Sequence, residues 1–110
     1  MQFKQFGSVK IDVKKMNIDL LSMSAHKFYG PKGIGALYTK SGILIEPLIA
    51  GGHQEKNIRA GTENVPAIVG MGKAIEVASK NIDAYSKKLA YLRDYFIFEI
   101  QRNISFVRLN

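Results

Sequence analysis

The chain contains no cysteine and no tryptophan, and only three of its 110 residues are proline. Without cysteine it can form neither a disulfide nor a thiolate metal site, so any thiol chemistry has to come from outside these residues. No apolar run reaches the roughly 18 residues that a membrane-spanning helix needs, and the first residues lack the apolar core of a secretory signal. We therefore expect a cytoplasmic protein that does not insert into a membrane.

Basic residues outnumber acidic ones, 16 to 9, which gives a formal net charge of +7. Such a charge suits anionic ligands, but the basic residues are dispersed, and Lys14–Lys15 and Lys87–Lys88 are the only adjacent basic pairs. They are not interleaved with aromatic side chains as in an RNA-binding sheet. We do not expect nucleic acid as the main ligand. The 46% hydrophobic content is typical of one globular domain or part of one.

Alternating apolar residues predict three strands before residue 40, over residues 9–13, 18–24 and 33–39. Residues 40–64 show no period and are interrupted by glycine and proline, so they are interpreted as an ordered loop. Loops of that length are more often functional than structural filler. A further strand is predicted over residues 104–107.

A seven-residue apolar repeat predicts one long amphipathic helix over residues 65–101, through Ile68, Ile75, Ile82, Leu89 and Phe96. Thr62 or Asn64 can cap its start, Pro66 suits the first turn, and Asn103 is a natural stop. At ~1.5 Å per residue such a helix is about 55 Å long. That length is typical of a helix that bridges two domains or packs against another subunit.

The predicted strand at residues 18–24 runs directly into Ser24, His26 and Lys27. Residues two apart on a strand project from the same face, so Ser24 and His26 would together suit a phosphate group. A desolvated lysine beside them could act as an amine nucleophile. This combination suits pyridoxal phosphate, which bonds to a lysine and carries a phosphate. The same residues also fit a polar strand end with a solvated lysine, and spacing alone does not separate the two interpretations.

Two other ligand motifs are excluded by their residues. The stretch that begins Gly33-Ile34-Gly35 resembles a dinucleotide fingerprint, but Tyr38 occupies the place of the third glycine, and a strand follows instead of a helix. No Gly-Lys-Ser or Gly-Lys-Thr sequence is present, which excludes a nucleotide P-loop. His26 and His53 do not have metal-pair spacing, so no metal site is expected.

Two blocks of sequence carry a family resemblance: DLLSMSAHKFYGPKGIGALY at residues 19–38 and GGHQEKNIRAGTEN at residues 51–64. The first resembles the lysine segment of cysteine desulfurases of the NifS and IscS type. The second is similar to the glycine-rich stretch of the same enzymes. These are pyridoxal-phosphate enzymes of fold type I in the class V aminotransferase family.

The resemblance implies an α/β fold that is part of the large domain of fold type I transferases, with a mostly parallel sheet and a long bridging helix. Residues 1–64 would form the end of the cofactor-binding large domain. Residues 65–103 would form the helix that leads to the small domain, and residues 104–110 would begin that small domain.

The resemblance also implies roles for four residues. Lys27 would form the Schiff base with pyridoxal 5'-phosphate, Ser24 and His26 would hold its phosphate, and Thr62 would reach the phosphate of the other subunit of a homodimer. Such an enzyme removes sulfur from L-cysteine as a persulfide and releases L-alanine. The persulfide then supplies an iron–sulfur scaffold or another sulfur acceptor, such as the enzymes that thiolate tRNA.

Five residues depart from the family pattern. Met1 and Lys4 stand where the family has the aspartate of the cofactor ring and a glutamine. His53, Lys56 and Asn57 replace a glycine, an arginine and a glycine in the second block.

The ring-stacking histidine and the sulfur-accepting cysteine of the family would lie outside residues 1–110. The chain is therefore interpreted as an internal segment, expected to be inactive alone. Two alternatives remain: another class V enzyme, such as a selenocysteine lyase or an aminotransferase, or a non-catalytic subunit.

Overall fold

The computed structural model describes residues 9–110 of the chain. In this range the chain forms strand β1 (Leu20–Ser24), strand β2 (Gly35–Thr39) and helix α1 (Val65–Asn103). Two single 3₁₀ turns complete the regular structure, at Ala25–Phe28 and Gln54–Asn57. We call the first of these the lysine turn because it contains Lys27. The predicted combination of strands with one long helix is confirmed.

Strands β1 and β2 form an antiparallel pair in which Leu20 lies opposite Thr39 and Ser24 lies opposite Gly35. Both strands begin two residues later than the sequence pattern predicted and end where it predicted. The pair is compatible with a mostly parallel sheet, because such sheets often carry one antiparallel strand.

Helix α1 confirms the helix predicted from the seven-residue repeat, and its 39 residues extend two positions beyond the end that the repeat predicted. Asn64 caps the start, since its side-chain oxygen accepts a hydrogen bond from the Ala67 N–H at 3.2 Å, and Pro66 lies in the first turn. A helix of this length measures about 58 Å at ~1.5 Å per residue. It therefore accounts for nearly all of the 60 Å long axis of the molecule.

The strand predicted over residues 9–13 is wrong. Val9 makes only an isolated bridge, and a turn occupies residues 13–17. Asp12 causes this turn, because its side-chain Oδ1 accepts hydrogen bonds from the backbone N–H groups of Lys14 and Lys15, both at 3.1 Å. An aspartate that bonds to the backbone in this way draws the chain out of a sheet and into a turn.

The strand predicted over residues 104–107 is also wrong. Ile104 still donates its N–H to the Ile100 carbonyl at 3.0 Å, and a turn follows. Phe106 has a φ of 65°, in the left-handed region, which an extended strand cannot contain. The apolar residues after α1 therefore leave the helix through a turn.

The core joins the lysine turn to α1. Ala25 and Phe28 from the turn and Met71 from α1 are buried together, and half-buried apolar side chains surround them: Met23, Ile34, Ala74, Ile75 and Ala78. The polar face of the helix carries an exposed cluster in which Glu76 pairs with Lys73 at 2.9 Å and with Lys80 at 2.6 Å. No helix within residues 9–110 is long and apolar enough to cross a membrane.

The two cationic partners of Glu76, Lys80 foremost, lower the pKa of its carboxyl group. A carboxyl whose pKa is lower in the folded state stabilises the fold above its unfolded pKa. That contribution is lost as the pH falls through the folded pKa. The cluster therefore supports α1 at neutral pH and not in acid.

We predict that alanine substitutions at two glycines of α1 change the stability of the chain in opposite directions. A Cβ at Gly70 would lie 2.7 Å from Cγ of Pro31, whereas a Cβ at Gly72 meets nothing within 4 Å. Gly72→Ala should stabilise the chain by roughly 0.5–1 kcal/mol, because alanine is the better helix former. Gly70→Ala should destabilise it by roughly 1–3 kcal/mol through overpacking. Urea unfolding of both variants measures the difference, and equal stabilisation would contradict the packing of α1 on Pro31.

Candidate active site

The lysine turn has a buried side and an exposed side. Ala25 and Phe28 are buried, and His26 and Lys27 between them are exposed. Residues three apart lie on the same side of a 3₁₀ helix, so burying the outer two residues directs the middle two outward. The structure therefore brings the imidazole and the amine next to each other on an exposed surface, directly after the half-buried Ser24 that ends β1.

This arrangement corrects the prediction that Ser24 and His26 project from one face of a strand. The strand ends at Ser24, and His26 lies on the turn. The alternation of a strand stops there because the chain turns to bury Ala25 and Phe28 against α1. Within residues 9–110, the Lys27 side chain makes no hydrogen bond or ion pair, so its position is set by the backbone that carries it.

Tyr29 and Gly30 close the lysine turn. Tyr29 adopts a left-handed conformation with φ 65° and ψ 18°, and its backbone N–H bonds to the Ala25 carbonyl. Gly30 also donates to that carbonyl, at 2.9 Å. A Cβ at Gly30 would lie 2.9 Å from the Cβ of Ala25 and 3.2 Å from that of Ala74, so only glycine fits without displacement. The turn is therefore pressed closely against α1.

A hydroxyl pair makes a second link between this region and α1. The Tyr29 and Tyr85 hydroxyl oxygens lie 2.8 Å apart. The hydrogen bond to Tyr29 raises the pKa of the Tyr85 hydroxyl, and the negative charge of an ionised Tyr29 adds to the effect. A raised tyrosine pKa means that folding favours the neutral form. This contribution to stability is present below the unfolded pKa of about 10 and is lost as the pH rises through the folded value.

The loop over residues 40–64 contains a run of residues with a left-handed backbone conformation, at the 3₁₀ turn Gln54–Asn57. Glu55, Lys56 and Asn57 have φ values of 47°, 56° and 67°. His53 Nδ1 lies 2.6 Å from the side-chain oxygen of Asn57, which closes the run. Two of the three positions that depart from the family pattern in this block, Lys56 and Asn57, thus hold a conformation that glycine adopts at lower cost.

Gln54 links this loop to the segment before α1. Its Oε1 accepts a hydrogen bond from the Gly61 N–H at 3.1 Å, and Thr62 follows at once with an exposed side chain. No hydrogen bond joins Thr62 to Ser24, His26 or Lys27 in the described part of the chain. The structure thus brings three of the four predicted site residues together and leaves Thr62 on a separate loop.

A groove in the described part of the chain lies apart from these residues. It has a volume of about 700 Å³ between β2, residues 45–59 and the start of α1. Its lining is mostly apolar and includes none of the four predicted site residues. No cluster of three or more potential metal ligands occurs in residues 9–110.

The sequence profile of the family described as Aminotransferase class-V matches residues 3–110. The chain belongs to this family. A class-V aminotransferase relative, the cysteine desulfurase IscS of Dictyoglomus turgidum, is 58% identical over 104 residues, which cover 94% of this chain and 26% of that protein. The chain thus spans about a quarter of the length of such a relative.

Solved structures agree with the fold. A NifS-like protein superposes with a TM-score of 0.83 at 40% identity, covering 88% of this chain and 27% of that one. SspA, solved in complex with cysteine, superposes with a TM-score of 0.65 at 52% identity, covering 68% and 22% of the two chains. The predicted family and fold class are confirmed.

Sequence reasoning missed three residues that shape this class-V site. Phe28 anchors the lysine turn, and Tyr29 with Tyr85 links it to α1. The seven-residue repeat contained a signal, since Tyr85 falls on the same face of α1 as the buried Met71. Nothing in the local sequence indicated Tyr29 as its partner.

We predict that Gln54 holds the segment before Thr62 through its carbonyl oxygen. Gln54→Ala should expose the Gly61 amide and raise its hydrogen-exchange rate roughly two- to tenfold, the equivalent of one hydrogen bond. Gln54→Glu keeps an acceptor oxygen at the same place and should exchange at the wild-type rate. Faster exchange in both variants would show that the acceptor is not what holds Gly61.

Proposed function

We propose that this chain is the lysine-bearing part of a cysteine desulfurase. The observation that carries the proposal is the lysine turn, which anchors Ala25 and Phe28 in the core and presents His26 and Lys27 on its exposed side. Supporting it, a class-V relative 58% identical to this chain is a cysteine desulfurase. The family alone would leave other class-V activities open, so the proposal rests on both the site and the relative.

The donor set of this site fits pyridoxal phosphate. A hydroxyl, an imidazole and an amine follow one another at Ser24, His26 and Lys27, and an exposed surface leaves room for a ligand there. Ser24 and His26 would bind the phosphate through hydrogen bonds, and the Lys27 Nζ would bond to the aldehyde carbon. When bound, the cofactor supplies an electron sink for bonds at the α-carbon of an amino acid.

The residues of this chain would then bind the cofactor and orient the reacting groups. Lys27 would hold the cofactor through its Nζ, and when not bonded to it the same Nζ would hold the proton that leaves the α-carbon of the substrate. His26 stays beside it as a donor to the phosphate. Position is the main contribution of the turn.

In the proposed reaction, L-cysteine and an acceptor thiol give L-alanine and an acceptor persulfide. The carbon–sulfur bond of the substrate breaks, a sulfur–sulfur bond forms on the acceptor, and one proton, equivalent to the one that the acceptor thiol gives up, takes the place of sulfur on the β-carbon. Sulfur is transferred without an external oxidant. The chain has no cysteine, so the acceptor thiol lies outside these 110 residues. We propose that the persulfide then supplies an iron–sulfur scaffold or another acceptor protein.

We also propose that the enzyme works as a homodimer in which Thr62 serves the phosphate site of the partner. In the described chain Thr62 is exposed and makes no hydrogen bond to the lysine turn. Its loop adjoins the first turns of α1, where Val65 and Val69 are exposed by 60% and 66%. Exposed apolar side chains of this size favour contact with another surface.

We predict that Lys27 is the amine that bonds to pyridoxal phosphate. Borohydride reduction after addition of the cofactor should leave a stable label on the peptide that contains Lys27. Lys27→Ala should abolish that label, because no other amine occupies this place on the turn. Peptide mass mapping of the reduced protein is the measurement.

Lys32→Ala is the matched control, since Lys32 is another exposed lysine close to the turn. This variant should keep the label on Lys27. A label that survives Lys27→Ala at the same peptide, or that is spread evenly over the surface lysines, would contradict the assignment.

We predict that Thr62 acts across the subunit interface. Loss of one hydrogen bond to a charged phosphate should weaken cofactor binding by roughly 1.5–3 kcal/mol. In a heterodimer of a Thr62→Ala subunit and a Lys27→Ala subunit, the site with the intact lysine receives threonine only if the contact is made by the partner. Cofactor titration of this heterodimer should then give wild-type affinity at that site.

The reciprocal arrangement serves as the control. A heterodimer that combines a doubly substituted Thr62→Ala, Lys27→Ala subunit with a wild-type subunit should lose affinity at its intact lysine. The opposite pattern, with loss in the first heterodimer and wild-type affinity in the second, would place the contact within one subunit.

A further inference from the structure

Tyr29 has a backbone conformation that its side chain does not favour. It lies in the left-handed region at the end of the lysine turn, with φ 65°. Bulky residues adopt this region only where the surrounding structure holds them there, and such residues often accompany functional sites. The proposed function assigns Tyr29 no role, although it lies two residues after Lys27.

Burial of the ring does not account for Tyr29. Its side chain is 85% exposed, so it adds little to the apolar core. Its specific contact is the hydroxyl pair with Tyr85 of α1, at an oxygen–oxygen distance of 2.8 Å. The left-handed backbone therefore directs the tyrosine toward α1 while its neighbour Phe28 remains buried beside Met71.

We propose that the Tyr29–Tyr85 hydroxyl pair is a positioning contact that holds the lysine turn on α1 and so fixes the place of the Lys27 amine. This inference rests on the proposed role of Lys27. Ala25 and Phe28 attach the buried side of the turn to α1 by apolar packing, which is non-directional. The tyrosine pair adds a directional contact, made by the residue two positions after Lys27.

Lys27 depends on such a contact because its own side chain has no polar partner in residues 9–110. The backbone of the turn alone therefore determines the point from which the Lys27 side chain extends. The same hydrogen bond is the main cause of the raised pKa of the Tyr85 hydroxyl. Both tyrosines would then be positioning residues, since they act on the reacting group through the turn and do not touch it.

Amide hydrogen exchange of the cofactor-free chain tests the contact directly. Tyr29→Phe and Tyr85→Phe each remove one hydroxyl and keep the ring. Each should speed exchange in the peptide covering residues 25–30 roughly two- to tenfold, the equivalent of one hydrogen bond. The double variant should show no further increase, because the same contact is lost. Unchanged exchange in the single variants, or additive effects in the double variant, would overturn the proposal.

Tyr95→Phe is the matched control for the loss of a hydroxyl. Tyr95 lies on α1 and stacks on Tyr91 at a ring-centroid distance of 6.3 Å, away from the lysine turn. Exchange in residues 25–30 should stay at the wild-type rate in this variant. An equal acceleration there would mean that hydroxyl loss anywhere on α1 loosens the turn, which would contradict a specific contact.

The rate of borohydride-trapped labelling at Lys27 is the second readout. Tyr29→Phe and Tyr85→Phe should slow labelling by the same factor. Ala90→Gly, which weakens the helix away from the pair, should leave the labelling rate unchanged. If Ala90→Gly slowed labelling to the same extent, the overall stability of the chain, and not the position of Lys27, would control the labelling rate.

The two readouts separate this inference from the proposed function. Absence of label on Lys27 in every variant would contradict the proposed function, and the exchange rates would still decide whether the pair holds the turn. Label on Lys27 at one common rate in the wild type and both tyrosine variants would overturn the positioning role while supporting the function of the lysine.

Discussion

The packing of Phe28 against Met71 is the contact on which the arrangement of this chain depends. It joins a short turn that follows β1 to a helix that begins far along the sequence. Burial of a phenylalanine side chain contributes roughly 1.5–3 kcal/mol, and here the same burial also sets a direction. With Ala25 and Phe28 committed to the core, the residues between them have only the solvent side available.

That division explains how an apolar segment can carry reactive groups without burying them. An amine or imidazole in the core would lose its hydration, whereas on the exposed side of the turn both groups remain hydrated. The rigid part of the site is thus the backbone and its inner side chains. The positions of the polar atoms are fixed by the packed elements beneath them, as expected for a site built on a packed scaffold.

The sequence was most informative where structure is local and periodic. The apolar repeat through Ile75 and Leu89 predicted α1 almost to its ends, because a helix expresses its period in the sequence. The sequence pattern failed where a single side chain, or a contact with a residue far along the sequence, decides the local structure. Asp12 captures two backbone N–H groups and replaces a predicted strand with a turn, and Phe106 interrupts another with a left-handed backbone. The turn that carries His26 away from the strand depends on Met71, which no local pattern reveals. The roles of the site residues came from the resemblance, since spacing alone left the function of Lys27 open.

The close approach of Gly30 to Ala25 and Ala74 has a consequence for how this region can vary in sequence. A Cβ at Gly30 would meet the side chains of both alanines, so this position has no room for a larger residue while the turn and the helix keep their places. A larger side chain at one position would become acceptable only after the helix had moved away from the turn. Substitutions at these sites should therefore be mutually dependent, because a side chain added at Gly30 requires a shift of α1 or of the turn that carries Lys27.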